Sequence, residues 1–177
     1  MKILIVVDMQ KDFVDGSLGT PEARAIVPNV AAKVAEYSNE DSIIIFTRDT
    51  HQTNYLETSE GKQLPIEHCI VGTPGWEIVS EVYTPFYSHI VDKPTFGSTE
   101  LPSAIGRAMH SRGAWGIESI ELCGLCTDIC VVSNALLLKA NYLDTPIYVD
   151  SSCCAGVTPD THRAALTVMR SCQIYVI

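Results

Sequence analysis

The run KILIVV, residues 2–7, establishes the kind of sheet that this chain builds, because it is short, rich in β-branched residues and apolar at nearly every position. A strand with one face in water alternates polar and apolar residues, whereas an unbroken apolar run is typical of a strand buried on both faces of a parallel sheet. Five similar runs follow: SIIIFT (42–47), SHIV (88–91), SIELC (119–123), PIYV (146–149) and QIYVI (173–177). The sequence therefore predicts six strands.

Segments with helical periodicity separate these runs. Apolar residues recur at spacings of three and four in 22–38, 98–113, 127–142 and 158–171. Ser98 and Thr99 are residue types that cap helices, and Pro159 stands where a first helical turn accepts proline. The alternation of strand and helix predicts a doubly wound α/β sheet covered on both faces, in one domain over residues 1–177. Residues 49–76 interrupt the alternation as a long loop after the second strand, at the edge where such folds bind ligands.

Composition and charge exclude several classes of protein. The chain has 177 residues, 46% of them hydrophobic, which is enough for one substantial core. It carries 12 basic and 21 acidic residues, for a net charge of -9, and no cluster of more than two Lys or Arg. Nucleic acids and anionic membranes need clustered cations, so we expect neither as a partner. With no export signal and no apolar run near the roughly 18 residues of a membrane span, we expect a reducing cytoplasmic location and seven free cysteines.

Three residues around the long loop form a candidate metal site. The second strand ends in FTRDTH, where Asp49 and His51 are two positions apart and project to the same side of an extended segment. IEHC then supplies His68. One carboxylate and two imidazoles suit a divalent ion such as Zn, Fe or Mn at a catalytic site with open positions. A hydrogen-bonded Asp–His pair within a loop is the alternative interpretation.

Two charged residues stand at the carboxyl ends of other strands. Asp8 follows the first strand directly, and Lys93 follows the third. Apolar surroundings would raise the pKa of Asp8 and make it a general base, the alternative being a solvated carboxylate or a helix cap. A cation beside a thiol lowers the thiol pKa, so Lys93 would activate a nearby cysteine, although most lysines simply face solvent.

The stretch CGLCTDIC, residues 123–130, allows three interpretations. Cys123 and Cys126 could form a redox pair, but their place after a fourth strand is unlike that of thioredoxin-type motifs. A structural zinc site could add Cys153 or Cys154, which would leave the charged strand ends without a role. A single nucleophile at Cys130 gives all of these residues a role, and we favour it.

The sequence around Cys130 suits a nucleophile. Gly124 permits a sharp turn after the strand, and Thr127 or Asp128 can cap the helix that follows. Cys130 then lies in the first helical turn, where unpaired N–H groups and the helix dipole stabilise an anion such as a thiolate.

With an acid, a lysine and a cysteine at three strand ends, the chain resembles the isochorismatase-like cysteine hydrolases, and within them the nicotinamidases. The resemblance extends over essentially the whole chain and rests on five motifs: VDMQKDF, TRDTH, EHCIVGTPGWE, DKPTFGST and GLCTDICV. The last matches the family pattern G-x-x-T-D-x-C-V. The resemblance implies a three-layer α/β/α fold with a mainly parallel six-stranded sheet, and assembly as a dimer or tetramer.

The resemblance also implies a mechanism. Asp8 takes the proton of Cys130 while Lys93 stabilises the thiolate, which attacks a small carboxamide. The backbone N–H groups of Cys126 and Cys130 form the oxyanion hole, with a cis peptide bond before Cys126. Ammonia leaves, and water then hydrolyses the thioester to a carboxylate.

The remaining implied residues bind metal and substrate. The metal, with zinc expected before iron or manganese, is bound by Asp49, His51 and His68. In nicotinamidases it holds the pyridine nitrogen of the substrate. Phe13 is an expected ring contact. Leu64 stands where the family's W-P-x-H-C stretch has Trp, and we expect Tyr55 or Trp76 to replace that ring. Another small amide is the alternative substrate, and a catalytically silent partner-binding relative is a further alternative.

Overall fold

The computed structural model describes residues 1–83 and 88–177. Its six strands form one sheet in the order β3-β2-β1-β4-β5-β6, and every neighbouring pair is parallel. The strands are β1 (Lys2–Val7), β2 (Ser42–Asp49), β3 (Ser88–Lys93), β4 (Ser119–Leu125), β5 (Ile147–Ala155) and β6 (Tyr175–Val176). The predicted six-stranded α/β fold is confirmed.

Helices cover both faces of this sheet. They are α1 (Lys11–Val14), α2 (Pro21–Ser38), α3 (Ser59–Gln63), α4 (Leu101–Ser111), α5 (Val132–Asn141) and α6 (Pro159–Ser171). Helix α2 packs on β1, β2, β4 and β5, whereas α4, α5 and α6 lie side by side, as right-handed crossovers require. No helix in the described part of the chain is long and apolar enough to cross a membrane.

The central strand explains where the site forms. Residues Ile3 to Val7 of β1 are fully buried between β2 and β4. The chain proceeds from β1 towards β2 and β3 on one side, and later towards β5 and β6 on the other. A cleft therefore opens between the carboxyl ends of β1 and β4, at the point where the winding direction reverses. Asp8 leaves β1 at this cleft, and Cys126 leaves β4 there.

Some element boundaries differ from the prediction. The helix expected over 98–113 spans Leu101–Ser111, and the backbone N–H of Ser98, ahead of it, donates to Asn134 Oδ1 (2.9 Å). The last strand is shorter than 173–177 and spans only Tyr175–Val176. Helix α6 starts at Pro159 as predicted.

The helix expected over 127–142 has a different first turn. Thr127–Val131 form a π-helical turn, in which the carbonyl of Cys126 accepts the N–H groups of Ile129 (3.1 Å) and Val131 (3.0 Å). Thr127 and Asp128 do not cap it. The Thr127 hydroxyl is hydrogen-bonded to His162 Nδ1 (2.8 Å), and Asp128 Oδ1 accepts the N–H of Val157 (3.1 Å). The two side chains bind the start of α6 to this turn instead.

Candidate active site

Asp8 is held rigidly where β1 ends. Its backbone is in the left-handed region, with φ 48°, and its N–H donates to the carbonyl of Thr47 (3.2 Å). The Thr47 hydroxyl donates to Asp8 Oδ1 (2.6 Å). Burial raises the pKa of Asp8, and the charge of Asp49 acts in the same direction, whereas Lys93 and Thr47 oppose the shift. The result is a carboxylate with more affinity for a proton than an ordinary aspartate.

Lys93 joins the other reactive residues. Its side chain is fully buried, and its Nζ lies 2.6 Å from Asp8 Oδ2, 3.4 Å from Asp49 Oδ1 and 3.4 Å from Cys130 Sγ. Burial alone would lower the pKa of Lys93, but the negative charges of Asp8 and Asp49, joined by that of Cys130 when its thiol is ionised, raise it above its ordinary value. Lys93 is therefore a permanent ammonium ion between the acid and the thiol.

Cys130 is buried in the π-helical turn beside Lys93. Burial raises the pKa of its thiol well above the ordinary value, and the charge of Asp8 adds to the shift, whereas Lys93 acts against it. These effects outweigh the stabilisation of a thiolate expected from the helix start. Cys130 in the free protein is accordingly a thiol that needs a base, and Asp8, which contacts the same Lys93 ammonium, is the candidate.

The other cysteines of CGLCTDIC have different surroundings. The peptide bond between Leu125 and Cys126 is cis, as the resemblance implied. Cys126 borders the cleft, and burial raises the pKa of its thiol to about 12. Cys123 is fully buried within β4, and all seven cysteines, which lie in the described ranges, are free. Neither residue of this pair has the low pKa of a redox thiol.

Four side chains converge beside this group as a candidate metal centre. The ligand atoms of Asp49, His51, Glu60 and His68 all lie within 4.8 Å of one another. Within residues 1–83 and 88–177 this is the one such group of three or more, and it contains no cysteine. The alternative zinc site built on Cys153 or Cys154 thus has no counterpart in the described structure.

The orientation of the donors fits a cation. His51 Nε2 is buried without a hydrogen-bond partner among the described residues, although Asp49 Oδ2 lies only 2.9 Å away. His68 Nδ1 is hydrogen-bonded to the carbonyl of Ile66 (2.8 Å), which directs Nε2 into the site. Burial favours protonation of Asp49, but His51, His68 and Lys93 together hold its pKa below the ordinary value. Two imidazoles and two carboxylates suit Zn, Fe or Mn.

Glu60 was not among the predicted ligands. It lies in α3, and its Oε1 is 3.7 Å from His51 Nε2 and 3.9 Å from His68 Nε2. The sequence contains no spacing that singles out Glu60 among the acidic residues of the loop, because only the path of residues 49–68 brings α3 over the two histidines.

Asp49 connects the metal group to the catalytic group. Its Oδ2 faces His51 and His68, while its Oδ1 lies beside Lys93. Gln10, which the sequence analysis did not predict as a site residue, holds the backbone of Asp49. Its Oε1 accepts the backbone N–H of Asp49 (2.7 Å), and its Nε2 donates to the backbone carbonyl of Asp49 (2.8 Å). Its position, two residues after Asp8 at the end of an apolar strand, was the feature of the sequence that could have indicated a role in the site.

A cavity of about 610 Å³ opens above these residues. Asp49, His68 and Cys130 lie at its buried end. Phe13, the expected ring contact, lines the cavity and packs against His68, with ring centroids 5.5 Å apart. Leu64 also lines the cavity.

The two aromatic residues expected to replace the missing Trp lie elsewhere. Tyr55 is fully buried behind the metal group, with its ring 4.6 Å from that of His51, and its hydroxyl donates to the carbonyl of Leu64 (3.0 Å). Trp76 lies under the guanidinium of Arg48 and donates its indole N–H to Thr50 Oγ1 (2.9 Å). Neither residue lines the cavity. Both pack within the long loop and do not replace the missing Trp as a wall of the cavity.

Known proteins with similar sequences and structures match the whole chain. The nicotinamidase/pyrazinamidase of Mycobacterium tuberculosis is 28% identical over 193 residues, covering 100% of this chain and 98% of that protein. A pyrazinamidase of Pyrococcus horikoshii, solved in complex with zinc, has a TM-score of 0.82 at 29% identity, covering 99% of this chain and 98% of that one. For the pyrazinamidase/nicotinamidase of Streptococcus mutans the TM-score is 0.81 at 26% identity, with both chains covered completely.

These similarities confirm the predicted resemblance to isochorismatase-like hydrolases and nicotinamidases. The family model described as the Isochorismatase domain matches residues 2–177. Because this match includes every strand of the sheet and every residue of the catalytic and metal groups, the chain belongs to the Isochorismatase domain family.

Proposed function

We propose that this protein is a metal-containing cysteine amidohydrolase, nicotinamidase-like, which converts a small heteroaromatic carboxamide to a carboxylate and ammonia. One observation carries the proposal: the Lys93 ammonium contacts Asp8, Cys130 and Asp49 at the buried end of an open cavity. An acid and a thiol that contact one shared ammonium form the set needed for nucleophilic attack on an amide.

The comparisons support this activity at the level of linear amides. The family match spans the chain, and full-length relatives from Mycobacterium tuberculosis and Schizosaccharomyces pombe are named nicotinamidases. The protein is accordingly a hydrolase of linear amides, and the particular ring, the metal and the thioester belong to the proposal.

The first half of the reaction forms a thioester. Asp8 accepts the proton of the Cys130 thiol, and Lys93 stabilises the resulting thiolate in a site where burial disfavours it. The sulfur attacks the amide carbon, and the backbone N–H groups of Cys126 and Cys130 donate to the oxygen that becomes negative. Protonated Asp8 then gives its proton to the departing nitrogen, so that the C–N bond breaks and ammonia leaves.

The second half of the reaction hydrolyses the thioester and regenerates the Cys130 thiol. Water attacks the thioester carbon while Asp8 accepts one of its protons, and the same two N–H groups hold the oxyanion. The C–S bond breaks, the sulfur leaves as a thiolate beside Lys93, and Asp8 returns the proton to it. Lys93 keeps its charge throughout, because its anionic neighbours Asp49 and Asp8 hold its pKa above the ordinary value, with Cys130 adding to the shift when it is a thiolate.

The metal would be held by Asp49, His51, Glu60 and His68, with zinc expected first. When bound, it supplies a Lewis acid that can hold a ring nitrogen of the substrate. The contacts of Asp49 with both histidines and with Lys93 support a metal position close to the catalytic group.

Ammonia release from nicotinamide, pyrazinamide and simple aliphatic amides tests the proposal. We expect turnover of the ring amides, loss of most activity after dialysis against a chelator, and recovery with Zn²⁺, Fe²⁺ or Mn²⁺. His68→Ala should reduce metal affinity by roughly 10–100-fold or more, because a direct ligand matters at least as much as an outer-shell partner. Elemental analysis measures the bound metal and calorimetric titration measures the metal affinity, both independently of turnover.

Two results would separate the parts of this proposal. Full activity in protein free of divalent metal would contradict the metal centre while leaving the amidase intact. Absence of ammonia from every amide, in metal-loaded protein, would contradict the amidase itself.

The pH dependence should report Asp8. Because burial raises the pKa of Asp8, protonation of the base should lower kcat/KM at a pH above the ordinary aspartate value of about 3.9. Thr47→Val removes a hydrogen bond that stabilises the carboxylate, so the pKa of Asp8 rises further and the acidic limb moves to higher pH by up to about one unit. A pH profile of kcat/KM measures the shift, with Thr47→Ser, which keeps the hydroxyl, as the matched control. An unchanged limb in Thr47→Val would mean that Asp8 is not the base.

Assembly as a dimer or tetramer and a cytoplasmic location stay predictions. Size-exclusion chromatography with light scattering measures the first.

A further inference from the structure

The cavity has two chemically different parts. Its inner end carries the buried residues Asp49, His68 and Cys130. Its outer wall, as we define it, consists of Leu18, Leu64, Phe96 and Val157, which come from the loops after α1, α3, β3 and β5. The buried titratable groups thus lie at the inner end, whereas four separate segments bring apolar side chains to the outer part of the cavity, where exposed polar residues such as Gln63 and Thr95 also line it.

The outer wall exposes apolar surface that a small substrate would not cover. Phe96 is 47% exposed and Val157 is 51% exposed. Cavities of about 150 Å³ already hold a benzene-sized ring. A single ring with a carboxamide would therefore fill a minor part of the 610 Å³ and leave the entrance wet.

Charge restricts what can cover this wall. None of the residues that line the cavity in the described part of the chain is Lys or Arg, whereas Asp49 and Glu60 are acidic. The chain as a whole carries a net charge of -9. A substrate with a carboxylate or phosphate on its outer portion would meet no cation there and would be repelled by the field of the protein.

We infer that the preferred substrate is a carboxamide with an uncharged, apolar extension that reaches past the ring and packs on Leu18, Leu64, Phe96 and Val157. The inference rests on the proposed amidase function and assigns its substrate class. Leu64 is central to it, because a large aromatic side chain at that position would occupy the space that the extension needs.

Three matched ligands test this inference: nicotinamide, nicotinamide with a butyl group on the ring, and the same compound with a terminal carboxylate on that chain. Metal-loaded Cys130→Ala protein measures binding by calorimetry without turnover, and the unmutated protein measures kcat/KM. We expect the butyl compound to bind about tenfold or more tightly than nicotinamide, because each buried methylene strengthens binding by about fourfold. The carboxylate analogue should lose that gain.

Leu64→Trp provides the structural control. Filling the outer part of the cavity should lower the ratio of kcat/KM for the butyl compound over nicotinamide by about tenfold. Leu56→Trp is the matched substitution at an exposed leucine that does not line the cavity, and it should leave the ratio unchanged.

Each outcome separates this inference from the amidase proposal. If nicotinamide is hydrolysed but the butyl compound binds no more tightly, or if Leu64→Trp leaves the ratio unchanged, the extension is wrong and the amidase stands. If no amide releases ammonia, the amidase fails, and the substrate class fails with it even where the butyl compound binds.

Discussion

Replacement of Cys130 with alanine is expected to abolish ammonia release, with a fall in kcat of roughly 10⁴-fold or more, because it removes the thiol that forms the covalent intermediate beside Lys93. Cys130 is the thiol that contacts Lys93, and the same ammonium contacts Asp8. A continuous ammonia assay with metal-loaded protein measures the loss, and an unchanged melting temperature shows that the fold is intact.

Cys126→Ala is the matched variant, since the proposed role of Cys126 uses only its backbone N–H. It should keep most of the activity. The Lys93 ammonium contacts the sulfur of Cys130, which makes Cys130 rather than Cys126 the proposed nucleophile. Full activity in Cys130→Ala together with its loss in Cys126→Ala would transfer the nucleophile to Cys126.

Gly124→Ala should destabilise the protein by about 4 kcal/mol or more, a large share of the roughly 5–15 kcal/mol that stabilises a domain. Gly124 lies in β4 at a register shift, with φ 111°, a conformation that L-residues rarely adopt. A Cβ there would lie 2.1 Å from the carbonyl oxygen of Val7 in the neighbouring β1. The contact is with backbone of the central strand, so it cannot be relieved by a rotamer change.

Urea unfolding and the soluble yield measure this effect. Gly106→Ala is the control, because Gly106 lies exposed inside α4 and an added Cβ meets nothing within 4 Å. It should raise the free energy of unfolding by about 0.5–1 kcal/mol through the higher helix propensity of alanine. A Gly124→Ala protein within about 1 kcal/mol of the original would contradict the close approach of β1 and β4.

Gly124 also illustrates the limit of the sequence. Its type predicted a special backbone conformation, and its place after an apolar run suggested a turn. The structure puts it inside the strand, because β4 extends to Leu125 and needs a residue without a side chain against Val7. The residue type alone indicated an unusual backbone conformation at position 124. The close approach of β1 explains why only glycine fits there.

The candidate site was predictable to the extent that it lies at strand ends. Asp8, Lys93 and Cys130 follow three apolar strands, and parallel strands bring their carboxyl ends to one edge. The ion contacts of Lys93 with both carboxylates are the consequence of that geometry.

Residues on the long loop were less predictable. Glu60 joins the metal group and Tyr55 lies behind it, and neither position follows from a period of two or of 3.6. Their places depend on how residues 49–76 fold back over β2, which is decided by contacts between residues distant in sequence.

The amino-acid sequence alone carries the apolar periodicity, and with it the parallel sheet, the order of strand and helix, and the motifs that mark an acid, a lysine and a thiol. These are local properties, since each depends on neighbours within a few positions. The tertiary structure decided the protonation of Cys130, the fourth metal-ligand candidate and the apolar entrance of the cavity. Burial, charge proximity and shape arise only when distant segments meet, so no single stretch of sequence contains them.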